Sequence, residues 1–209
     1  MKKILLILMF VVSMQQISFS QNPCDVFKDN EMIWYGIDFS MAKLVGPGFN
    51  SISSIKATWI PSWNNLILTE SKKFNLNKFL HHSNIKYNLN PVTEINNKVD
   101  ENKMVILNSS ESIELKDADI KKIVNQYTFD KKSGIGVLLI VDSYNKVEET
   151  GHFFITFIDL ATKQVLVSKK ISGKAVGIGF RNFWAGAIFA AFKSCEQLFN
   201  TWEKEFCKN

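Results

Sequence analysis

Residues 135–141 (IGVLLIV) are apolar at every position, so a strand made from them must be covered on both faces. That requirement puts the segment at the centre of a sheet. Residues 152–160 (HFFITFIDL) read as the next strand, Asp159 to Lys163 as a turn, and Gln164 to about Ile171 as a third strand. Parallel strands need crossovers of a dozen or more residues. Two connections this short therefore give an antiparallel three-stranded meander. Lys169 and Lys170 near the end of the last strand suit an edge.

Helical patterns flank this core. Glycines 173, 177 and 179 lead into a long final helix over about 181–206. Its stripe is Trp184, Ile188, Phe192, Cys195, Phe199, Trp202 and Phe206, and a period near 3.6 buries one face. Ile120, Ile123, Val124 and Tyr127 give the same signal over 117–127, with Asp117 as N-cap and Asp119 opposing the helix dipole. Ser51 to about Leu80 reads as mostly helical. Pro61 starts a second piece, where its missing N–H costs nothing, and Trp59, Trp63, Leu66, Ile67 and Phe74 form its buried side. Residues 31–39 (EMIWYGIDF) read as a strand, and Gly46–Gly48 as a loop. Residues 81–110 are Asn-rich and irregular, with strand-like pieces at Ile85–Leu89 and Met104–Leu107. The expected fold is α/β (α+β): a mixed sheet with a C-terminal antiparallel three-stranded meander, packed by helices and ending in a long helix.

The N-terminus sets an expectation of export. Lys2 and Lys3 precede nine consecutive apolar residues, 4–12, and Ser18 and Ser20 place small side chains at −3 and −1 of a cut before Gln21. This is the pattern of a cleavable signal peptide over residues 1–20. The apolar run falls short of the roughly 20 residues of a membrane span. A lipid anchor on Cys24 fits poorly, because Gln21 and Pro23 stand where an apolar and a small residue belong. Residues 21–209 are then a single domain, periplasmic or secreted. Removing two Lys brings the net charge from +5 to +3. Arg181 is the only Arg, whereas nucleic-acid readers use the guanidinium fork repeatedly, so no nucleic-acid partner is expected.

Export favours disulfides, and three Cys leave one over. Cys195 and Cys207 are twelve apart in one expected helix, roughly 18 Å at 1.5 Å per residue. Disulfides need Cα atoms within about 7 Å. Cys24 would then pair with Cys207 or with Cys195. Cys207 is favoured because Cys195 falls on the apolar stripe. The alternative is three free thiols.

The C-terminal third, with Ile135–Asp142, Phe153–Asp159, the Ala161–Lys163 turn and Val165–Ser168, resembles the α/β domains of Gram-negative envelope proteins. Members of that group include the curli-secretion lipoprotein and the N-terminal domain of the TolB translocation protein. Gly179–Ala185 also resembles a G-F-R-N-[FY]-W-A stretch of secreted proteins. The resemblance implies an assembly or interaction role without catalysis.

Candidate chemistry is sparse, and no catalytic residue, cofactor or metal is expected. The Gly173–Arg181 segment could cradle an anion at a helix N-terminus. Lys174, Gly177, Gly179 and Arg181 would meet Asp38 or Glu70 in that reading. It lacks the Walker and dinucleotide spacings. The plainer reading is a tight strand-to-helix connection. His81, His82 and His152 lack metal-ligand spacing and read as solvated surface residues. Asp38, Glu70, Asp142 and Asp159 lie in or near apolar segments, where a buried carboxylate with a raised pKa could serve in acid/base work, but an acid at a strand end more often caps a turn. Trp34, Trp59 and Trp63 are candidates for an exposed anchor on a protein partner. Two functions remain open: an exported cell-envelope interaction module without catalytic activity, binding an envelope protein, and a small anionic-ligand-binding protein or enzyme using residues 173–181.

Overall fold

The computed structural model describes residues 21–28, 30–49, 52–106 and 114–207; the expected signal segment and Leu107 lie outside them. In chain order the elements are β1 (Met32–Asp38), β2 (Lys43–Val45), α1 (Ile52–Ser54), α2 (Ile60–Thr69), α3 (Leu76–Phe79), β3 (Ile85–Tyr87), α4 (Asn90–Asn97), β4 (Val105–Ile106), α5 (Asp117–Asn125), β5 (Ile135–Asn145), β6 (Thr150–Asp159), β7 (Val165–Lys174) and α6 (Phe180–Phe206). A π-helical stretch, Ile55–Trp59, joins α1 to α2. The Ile60 N–H reaches Ile55 O there, ahead of Pro61, which has no N–H to give.

The seven strands form one mixed sheet. β5 is central. It pairs antiparallel with β6, and β6 with β7, which is the expected meander. Its other edge is shared by β1 and then β2, both parallel to it. β1 in turn pairs parallel with β3, and β2 with β4. The sheet is thus five positions wide, with β1–β2 one interrupted strand and β3–β4 one interrupted edge. Alternation along β5 divides the core. Ile135, Val137, Leu139 and Val141 face a large cluster with α2, α3 and α6; Leu138 and Ile140 face a smaller one with α4 and α5.

The gap between β3 and β4 leaves the outer edge of β1 without a strand at residues 37–39. Two side-chain amides replace it. Asn64 of α2 accepts from Ile37 N at 2.7 Å and donates to Ile37 O at 3.0 Å. Asn96 of α4 accepts from Phe39 N at 2.8 Å and also donates to Ile37 O, at 2.9 Å. Buried ladder groups must be satisfied, and here two buried asparagines do it. Gly36 makes room for Asn64 and for Val92 of α4. Its φ is +120°, and a Cβ there would lie 2.5 Å from Asn64 Oδ1.

Some local expectations change. The stretch 81–110 contains helix α4, which the sequence reading leaves irregular. β2 is also unanticipated. Lys116, not Asp117, caps α5, and its N–H donates to Asp119 Oδ2 at 3.0 Å. His82 is buried against Phe199 with Nδ1 on Leu80 O, so it is not a solvated surface residue.

Cys24 and Cys207 are paired, Cα atoms 5.0 Å apart, and tie the start of the described chain to the end of α6. Cys195 is free and buried; burial pushes its thiol pKa far up, away from the reactive thiolate. No helix among the described residues is long and apolar enough to cross a membrane.

Candidate functional site

The Gly-rich connection from β7 to α6 is held tightly against the helix. A Cβ on Gly173 would overlap Ala187 O and sit 2.6 Å from Ala191 N, both backbone atoms of α6. A Cβ on Gly177 would lie 2.6 Å from the Asn182 carbonyl. Both glycines are therefore packing residues, consistent with the plainer reading of this segment. Gly179, at φ +80°, precedes the helix without a side chain to cap its first turn.

Of the residues expected to gather around an anion, Arg181 meets Glu70, whereas Lys174 and Asp38 are engaged elsewhere. The Arg181 guanidinium is held by Ser62 Oγ at 2.7 Å, Asn182 Oδ1 at 3.0 Å and Glu70 at 3.5 Å. The Arg181 carbonyl accepts from Trp63 Nε1 at 2.9 Å, which fixes the first turn of α6 on α2. Lys174 Nζ donates to Glu148 O at 2.7 Å. Asp38 is fully buried at the end of β1, where it accepts from Ser40 N, Ser40 Oγ and Tyr127 OH. Burial pushes its pKa up, and the bonds from Ser40 and Tyr127 pull it back down. Gly177 and Gly179 line a cavity.

That cavity, about 270 Å³, is mainly aromatic. Phe49 and Trp184 stack with centroids 5.6 Å apart, and Trp184 lies flat on Tyr144 at 4.3 Å. Phe180 closes on the edge of Phe49 at 6.0 Å. Lys146 Nζ sits 3.9 Å from the Phe183 ring centroid, which spreads its charge over an aromatic face. The flanking loops expose Val147 (69%), Val176 (70%) and Ile178 (94%). These are three of the most exposed large apolar side chains in the described chain, and all lie at the end of the sheet where the β5–β6 hairpin, the Gly46–Gly48 loop and the start of α6 meet.

The tryptophans are not the anchor. Trp34 and Trp63 are fully buried, and Trp59 is partly buried against Phe180. The sequence reading misses the exposed cluster, whose available signal is Val176 and Ile178 alternating with glycines in a connection, where turn chemistry favours polar residues. Among the described residues no group of three or more His, Cys, Asp or Glu is placed to hold a metal. The chain matches no family model, no curated protein and no solved structure.

Proposed function

We propose that this chain is an exported module of the cell envelope that binds a protein partner through the apolar end of its sheet and carries out no chemistry itself. The observation that carries the reading is the cluster of Val147, Val176 and Ile178 around the aromatic cleft. Exposed apolar groups gathered beside a preformed aromatic pocket are what a partner's apolar anchor would cover. Export fits the basic-then-apolar N-terminus, and the Cys24–Cys207 pair suits an oxidising compartment. The alternative, an anion held by the first turn of α6, draws on the uncapped N–H groups at Gly179 and on nearby Lys146.

The test is a photo-crosslinking residue at position 147 in cells, with one at exposed Lys121 as control. The expected result is a discrete adduct from position 147 that disappears in Ile178→Asp. Equal labelling from both positions, together with a rise in melting temperature on adding inorganic phosphate, would favour the anion site instead.

A further inference from the structure

A second cavity, about 470 Å³, lies along the interrupted sheet edge between α2 and α4. That volume is within the range of small-molecule sites, roughly 300–1,000 Å³. The two helices come from opposite faces of the sheet and meet at the gap between β3 and β4. Their facing stripes explain why they do not close over it. Pro61, Asn64, Asn65 and Leu68 follow helical spacing on α2, and Asn90, Thr93 and Asn97 follow it on α4. Stripes this polar do not collapse together as apolar stripes would.

We propose that this cleft binds a neutral polyhydroxylated ligand, a short saccharide. Four observations favour that chemistry, and none depends on the partner-binding surface at the other site. First, no carboxylate lines the cleft, and its one cation, Lys56, already gives its ammonium to Val99 O at 2.7 Å. Nothing there selects for a charged ligand. Second, the side-chain amides of Asn65, Asn90 and Asn97 have no hydrogen-bond partner among the described residues. Each amide offers both a donor and an acceptor, which is what neighbouring hydroxyls require. Third, Tyr87 and Leu68 line the same cleft at 40% and 42% exposure. They give the C–H face of a sugar ring an apolar surface beside the amides. Fourth, the floor is rigid, because Asn64 and Asn96 are buried and fully engaged with β1. The same engagement argues against a peptide strand adding here: Ile37 N, Ile37 O and Phe39 N, which such a strand would need, are already bonded.

Saturation-transfer NMR on the disulfide-bonded chain tests this, with maltotriose, cellotriose and chitotriose as probes. At least one is expected to bind. The triple variant Asn65→Ala/Asn90→Ala/Asn97→Ala is expected to weaken it at least tenfold with an unchanged melting temperature, and Tyr87→Ala to weaken it through the lost ring. The proposal is overturned if none of the three binds at millimolar concentration, or if the triple variant binds as the parent does.

Discussion

The two halves of the sheet satisfy their backbone in different ways. From β5 to β7 every strand is ten or eleven residues long, and the ladders run nearly unbroken. Backbone bonds backbone, and side chains are left to pack. From β5 towards β3 the strands are two to seven residues long and interrupted. There, buried side chains finish the hydrogen bonding: Asn64 and Asn96 on β1, and Asp142 on Leu115 N at 2.7 Å. The first half depends on close packing and the second on particular polar atoms. Substitutions should therefore fail by different routes in each.

The largest effect is expected in the meander half. Gly173→Ala puts a methyl group into the main chain of α6, at Ala187 O and Ala191 N. Backbone cannot swing aside as a side chain can, so helix and strand must separate. The cost is expected to be about 3 kcal/mol or more. Urea unfolding reads it as a lower midpoint at unchanged slope. A loss under about 1 kcal/mol, on the same overpacking scale, would mean that α6 is not seated as closely on β7 as the structure has it.

The counterpart in the parallel half is Asn64→Leu. Leucine fills a similar space but leaves Ile37 N without a partner and Ile37 O with Asn96 alone; Ile60 O loses only the side-chain bond that it accepts besides its place in the helix. Burying unsatisfied polar groups costs about 1–3 kcal/mol each, so a loss of about 2 kcal/mol is expected. Its exposed neighbour sharpens the contrast: Asn65→Ala should stay within about 0.5 kcal/mol. Equal losses at 64 and 65 would remove the idea that amides substitute for an edge strand.

The same contrast explains what could be read in advance. The meander and the α6 stripe were legible because burial there follows a period: Ile135 to Val141 on both faces, Trp184 to Trp202 on one. The parallel half was not, because its strands are too short to show a period and are fixed by partners distant in sequence, such as Asn96, 59 residues from Ile37. α4 carries only Val92 and Ile95 as apolar contacts, and Pro91 near its start was its best local signal. Of the candidate site, the glycines were visible but their purpose was not. Arg181 looked free in sequence because Ser62 and Glu70, which hold it, are more than a hundred residues away.

A subtler effect belongs to Asp38, which stands where β1 breaks off before β2. Its carboxyl is fully buried, and its hydrogen bonds come from Ser40 and Tyr127, not from a cation. Burial raises its pKa more than those bonds lower it. An acid whose pKa is raised on folding binds its proton more tightly in the native state. Its contribution to stability is fully present below the unfolded value of about 3.9 and is lost as pH rises through the folded value. Asp38→Asn removes that titration and leaves Asp142, also raised by burial, common to both chains. The stability of the variant relative to the parent should therefore improve from pH 4 to pH 7, read from paired urea midpoints. If the difference is constant, the Ser40 and Tyr127 bonds balance burial; if it runs the other way, they outweigh it. The end of β1 would then be held by a stabilised carboxylate, much as Asn64 and Asn96 hold its edge.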